Sequence, residues 1–137
     1  MMKLKELVKN WFAYIDAQNF EGIKSLMDAQ HKFHNPMTPE PAGVDEHLGM
    51  MQMMTSAFQG RHHIDILVEE GNRVAVYGRW SGKHIGEFNG VPATGNTLTF
   101  TWADVFQIDN GKVVNEYFEM NPMSIMTQIS IPQHQNN

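Results

Sequence analysis

Residues 97–108, TLTFTWADVFQI, run into DNGK at 109–112 and return as VVNEYFEMN at 113–121. Both runs are rich in β-branched and aromatic residues, and Asn110-Gly111 is the turn chemistry that joins antiparallel neighbours. Alternation puts Phe100, Trp102, Asp104, Phe106 and Ile108 on one face of the first run, opposite Thr99, Thr101, Ala103, Val105 and Gln107. In the second run Val113, Asn115, Tyr117, Glu119 and Asn121 oppose Val114, Glu116, Phe118 and Met120. Strands of this length, paired antiparallel, twist and curl. The hollow side of a curled sheet must be filled. The expectation is that helices fill part of it and a small molecule the rest.

Upstream, HHIDILVEE (62–70) and RVAVYGRWSG (73–82) are two more strands around the turn Gly71-Asn72. RWSGKHIGEFNGVPAT (79–94) then places His84 and Glu87 among turn formers. The N-terminal half is helical. Leu4, Leu7, Val8, Trp11, Phe12 and Ile15 recur at the spacing of an amphipathic helix, with Lys3, Lys5, Lys9 and Asp16 outward. Asn19 caps a shorter second helix with Ile23, Leu26 and Met27 inward. HKFH (31–34) fits a short edge strand before a proline-rich break, and a third helix spans about Val44 to Phe58. Pro122 ends the last strand, a final helical turn covers 123–129, and 131–137 is a loose polar tail. Three helices followed by strands predict one α+β domain over 1–130, its helices packed on one face of a mostly antiparallel sheet.

Composition narrows the function. The chain has 137 residues, 42% of them hydrophobic and 18% charged, an ordinary globular balance. A net charge of -5 argues against a nucleic-acid partner, and the few lysines of the first helix do not make a membrane-binding face. There is no cysteine, which removes disulfides, thiolate nucleophiles and cysteine-bound zinc. No apolar run suits a membrane span and the start is unlike a signal peptide, so a cytoplasmic location is the default. Neither His31-Lys32-Phe33-His34 nor His62-His63 has metal-ligand spacing with a clear third ligand, so no metal is expected. Eleven methionines, six of them within 27–54, suit either core packing or an adaptable apolar pocket.

GKHIGEFNGVPATGNTLTF (82–100) and DVFQIDNGKVVNEYFEMNPMSIMTQI (104–129) resemble the SnoaL-like polyketide cyclases. These belong to a wider group shaped like nuclear transport factor, scytalone dehydratase and ketosteroid isomerase. The family segment appears here as Lys83, His84, Gly86, Glu87, Phe88, Gly90, Pro92, Thr94 and Gly95. His34-Asn35-Pro36 and the third helix ending in Ala57-Phe58 fit as well. The resemblance implies a cone-shaped half-barrel with three N-terminal helices, a pocket for a flat polycyclic or similarly apolar molecule, and a homodimer formed through the outer sheet face. Founding members close a ring by an intramolecular aldol step with an Asp just after the last strand and need no metal or cofactor. That Asp falls on Asn121 here, and the family tryptophan on the same strand is Tyr117. An amide does not exchange a proton near neutral pH, but it donates a hydrogen bond to a carbonyl oxygen.

His84, Asn121 and Glu119 are accordingly the expected catalytic groups. His34, Tyr14, Met51, Met54, Phe58, Trp80 and Phe118 are the expected lining, and core packing is the ordinary role of each apolar one. Asp104 shares its face with aromatic residues; a dimer interface or surface is favoured over the cavity wall. Two readings stand side by side. One is a cofactor-free enzyme moving a proton next to a carbonyl, as isomerase, dehydratase or cyclase, with Asp104 as an alternative base. The other is a ligand-binding or assembly module without chemistry.

Overall fold

The structure, a computed structural model, describes residues 2–132. Helix α1 (Leu4–Asp16) and short α2 (Phe20–Ser25) lead into strand β1 (Met27–His34). Then come α3 (Val44–Ala57), β2 (Phe58–Glu70), β3 (Arg73–His84), β4 (Thr97–Asp109), β5 (Lys112–Glu119) and α4 (Pro122–Ser130). The strands form a five-stranded sheet in the order β1-β5-β4-β3-β2. All neighbours are antiparallel except β1 and β5.

Local chemistry accounts for most of these boundaries. The α1 stripe buries Leu7, Val8, Trp11 and Phe12. Asn19 caps α2 by accepting the Gly22 N–H at 2.9 Å. Asn110 and Gly111 both take positive φ, 52° and 73°, as a two-residue type I′ hairpin turn requires. One expectation is corrected. Three helices do not run together before the strands: α2 stops at Ser25, and Met27 opens an eight-residue strand parallel to β5. Four helices result, the last of them at the far end of the sheet. The tail read at 131–137 lies, from residue 133 on, outside the described residues.

Sheet curvature decides which side chains face inward. Register breaks fall between Ile64 and Ile66 on β2 and beside Gln107 and Ile108 where β4 meets β5. The second break resets the alternation, so that Val113 and Glu116 are both buried. On β4 the inward set is Leu98, Trp102, Asp104, Phe106 and Ile108. Gly78 makes this possible, because a Cβ there would collide with the Trp102 ring and with the His63 carbonyl.

The inward face carries two apolar clusters. Under α1 and α3 lie Leu7, Val8, Trp11, Phe12, Met51, Trp102 and Phe106. Under α4 lie Ala57, Phe58, Trp80, Phe88, Leu98, Ile125 and Ile129. Two hollows open at the surface. One, of about 480 Å³, lies between β3, β4 and Gln128. The other, of about 560 Å³, lies between α1 and β2. No helix among the described residues is long and apolar enough to cross a membrane.

Candidate functional site

Four titratable side chains from four elements meet inside the sheet's concave face. His31 comes from β1, His47 from α3, Asp104 from β4 and Glu116 from β5; each is between 1% and 3% exposed. His31 Nδ1 lies 3.0 Å from the Val113 carbonyl, which can only accept, so this nitrogen carries the proton. His31 Nε2 is then a bare acceptor, and it faces His47 Nδ1 at 2.9 Å. The His47 proton therefore sits on Nδ1, and Nε2 turns its lone pair toward Glu116 Oε1 at 3.8 Å. The two rings are coplanar to within 3°. Phe33 stacks on His47 at 3.7 Å and Trp11 packs against both histidines. One backbone carbonyl thus sets the tautomer of two rings in series.

Burial sets the protonation of this row. It holds both histidines below their ordinary range, and the neighbouring His31 pushes His47 lower still. Both rings are neutral near pH 7. Burial raises Asp104 well above the usual carboxylate range, with the charge of Glu116 adding to the effect. Burial likewise takes Glu116 up to about 7, opposed by a hydrogen bond from Asp104. Both Asp104 oxygens and Glu116 Oε1 are buried without a partner in good hydrogen-bond geometry, and the Val105 N–H opposes the rise of Asp104 only in part. With one proton between them, one carboxyl donates to the other. Two adjacent acids in a dry site hold a shared proton in preference to two charges. The indole N–H groups of Trp11 and Trp102 are also buried without partners.

One ligand atom each from His31, His47 and Glu116 lie within 4.8 Å of one another, a spacing a divalent ion could use. The histidine nitrogens that face each other are joined by an in-plane hydrogen bond rather than turned to a common point. The row reads as a hydrogen-bonded acid–base array.

The residues expected from sequence are not brought together. His84 ends β3, fully buried. Its Nδ1 accepts the Thr94 N–H at 3.2 Å and meets Thr94 Oγ1 at 2.9 Å, and its ring stacks on Phe58. This pins the segment after β3. Asn121 is exposed and caps α4, its Oδ1 accepting the Met123 N–H at 3.0 Å. Glu119 is exposed on the convex face, because the inward residues of β5 are Glu116 and Phe118. A slip of one residue along a strand exchanges the faces. Asp104 is corrected in the opposite sense: it is interior, neither interface nor surface. His34 stacks on exposed Tyr117 and bonds Asn115, again on the outer side. Tyr14, Met51 and Phe118 join the first apolar cluster, and Met54, Phe58 and Trp80 join the second. None of His84, Glu119 and Asn121 lines either hollow.

Sequence reasoning passed over His31, His47 and Glu116. The signal was present for two of them. His31 shares strand parity with Phe33, and His47 stands one helical turn before Met51 on the α3 stripe.

Comparisons with known proteins agree with the geometry. No curated protein matches the chain. Among solved structures, AclR, a proposed hydroxylase from Streptomyces galilaeus, superposes with a TM-score of 0.85 at 20% identity, covering 93% of this chain and 95% of its own. IdmH, a proposed polyketide cyclase from Streptomyces antibioticus, gives 0.84 at 19% identity, covering 95% and 100%. A proposed polyketide cyclase from Pseudomonas putida gives 0.83 at 20% identity, covering 93% and 98%. At such identities these likenesses establish the fold, the curled α+β half-barrel. The family follows from the sequence itself: the model of the SnoaL-like polyketide cyclases matches residues 5–129. With that match spanning every element from α1 to α4, the chain belongs to the SnoaL-like polyketide cyclase family.

Proposed function

We propose that the protein is an acid–base enzyme that moves a proton next to a carbonyl of a small apolar molecule, in a cyclase- or isomerase-type reaction without metal or cofactor. Asp104 and Glu116 are the proton-transfer pair, and His31 and His47 position Glu116. One observation carries this reading: of the six side-chain atoms buried without hydrogen-bond partners among the described residues, five (Trp11 Nε1, Trp102 Nε1, both Asp104 oxygens and Glu116 Oε1) fall at this end, and only His84 Nε2 falls at the other. Each such group costs on the order of 1–3 kcal/mol, and folded proteins keep few of them without a reason. Two donors and three acceptors are what a carbonyl and the enol formed from it require. An indole N–H stabilises the developing oxyanion while a carboxyl takes or returns the proton. A carboxyl kept protonated by an apolar site is itself a donor to such an oxygen. Of the activities named for the structural relatives, cyclisation is the one this pair serves: a carboxyl takes the proton beside one carbonyl, the enol carbon attacks a second carbonyl of the same molecule, and the alkoxide so formed takes the proton back.

Neither hollow is lined by these atoms. An outer apolar strip of Ile66, Val68, Tyr77 and Tyr117, each more than 40% exposed, supports pairing of two copies through the convex face. The reaction class is testable without knowing the natural substrate. Fused-ring ketones and aryl 1,3-diketones are incubated with the protein in D₂O, and loss of the C–H signal beside the carbonyl is followed by NMR. Catalysed exchange is expected, falling roughly 100-fold or more in Asp104→Asn and Glu116→Gln. Binding without exchange would make the protein a ligand carrier. Exchange unchanged in both variants would move the chemistry away from this row.

A further inference from the structure

The hollow between α1 and β2 holds a second constellation, which meets the proton-transfer row only at the Trp102 ring. His62 on β2 gives both of its N–H groups to a single carboxylate on α1. Its backbone N–H meets Asp16 Oδ2 at 2.9 Å and its Nδ1 meets Asp16 Oδ1 at 2.6 Å. The ring is further held by Phe12 at 4.9 Å and Trp102 at 5.1 Å. Its tautomer and orientation are thereby fixed, and Nε2 remains as its one uncommitted polar atom among the described residues. Asp16 accepts both bonds and keeps its charge, so the hollow carries one carboxylate beside its bases. Lys9 and Arg61 line the same hollow, are exposed, and have no acidic partner among the described residues. The chain carries 15 acidic and 10 basic side chains, so two unpaired bases facing one hollow run against its overall charge. Phe12 and Ile64 supply an apolar wall between them.

We infer that this hollow binds a small organic acid with a flat apolar body. The acid group lies at Lys9 and Arg61, and the body lies against Phe12 and Ile64. An anion held by two cations gains from charge-assisted hydrogen bonds. The site goes beyond the acid–base reading and stands or falls apart from it, because the two share no side chain that touches a ligand.

The probe is 1-naphthoate, compared with its neutral counterpart 1-naphthalenemethanol, by titration into the whole chain with amide and imidazole NMR. Naphthoate is expected to shift the amides of Ala13, Arg61, His62 and Ile64 saturably. It should bind at least tenfold tighter than the alcohol. The double variant Lys9→Ala with Arg61→Ala changes two exposed residues; it should bind naphthoate at least tenfold more weakly and the alcohol as before. Equal affinity for the two probes would overturn the inference. So would unchanged naphthoate binding by the double variant, or shifts centred on Phe33, His47 and Met51 inside the sheet.

Discussion

The two buried ends of the sheet treat their polar groups differently. Under α4, Phe58, Trp80, Phe88 and Leu98 enclose His84, whose Nδ1 is committed to the Thr94 backbone and hydroxyl. Under α1 and α3, Trp11, Phe12 and Phe106 enclose His31, His47, Asp104 and Glu116, and three carboxyl oxygens there have no partner. The first end uses its polar residue to fix a turn. The second holds polar atoms in a state that folding alone does not reward. Both ends bury an unpartnered polar atom, His84 Nε2 in the first; what separates a structural histidine from a chemical row is the gathering of two acids and two histidines in the second.

The largest expected effect tests that contrast directly. Phe58→Ala should cost about 3–5 kcal/mol, the usual loss for a buried aromatic whose cavity cannot collapse. Asp104→Leu, at similar burial on the other end, should cost clearly less, because it removes a buried acid whose desolvation the proton shared with Glu116 only partly offsets. Urea unfolding of the two variants decides. A loss at Asp104 as large as that at Phe58 would mean that the carboxyl supports the core, and the contrast would collapse.

The next effect is read with pH. Glu116 has its folded pKa raised from 4.5 to about 7, so the folded state binds the proton more tightly than the unfolded chain. Its contribution is fully present below about pH 4.5 and is lost as pH rises through about 7, a swing on the order of 3 kcal/mol. Asp104, also raised, acts in the same direction. His31 and His47 are lowered from 6.5 and act oppositely: their contribution is present above 6.5 and is lost as pH falls through their folded values. Below pH 6.5 the two trends offset. Above it the histidines are neutral in both states and only the carboxyls titrate, so the melting temperature should fall between pH 6.5 and 8. Glu116→Gln should flatten that fall. A melting temperature independent of pH in that range would show that both carboxyls ionise freely.

The sequence carried the fold further than the site, for a physical reason. Strand length, turn residues and helix spacing are local signals, and they placed β3, β4, α3 and the DNGK hairpin within a residue or two. Facing is not local. It depends on the break beside Gln107 and Ile108, which resets parity on β5 and sends Glu116 inward while Glu119 faces out. His31 and His47 are 16 residues apart and meet only because β1 and α3 fold onto the same face. No spacing along the chain encodes that meeting. The motif around His84 was legible, but what it encodes in this structure is the turn.

A smaller effect is expected at that turn. Thr94→Val removes the hydroxyl beside His84 Nδ1 and keeps the backbone N–H that donates to it, so a loss of about 1 kcal/mol is expected. The imidazole nitrogen shifts of His31 and His47 should not move, since they belong to the other end. Any movement there would join the two ends into one network.

The smallest effect concerns Asn121, the residue on which the resemblance places the acid–base Asp. Its Oδ1 receives the Met123 N–H at the start of α4. Asn121→Ala should therefore lower stability by about 1 kcal/mol, while Asn121→Asp, an equally good cap, should hold or raise it. The aspartate variant also places a carboxyl at that position. If the proton moves through Asp104 and Glu116, ketone exchange by Asn121→Asp stays at the parent rate, because residue 121 is exposed at the mouth of a helix and not in the row. If exchange rises roughly tenfold or more, within the range one added acid–base group supplies, then the guest reaches the α4 end, and the chemistry belongs to the half of the molecule that here looks purely structural.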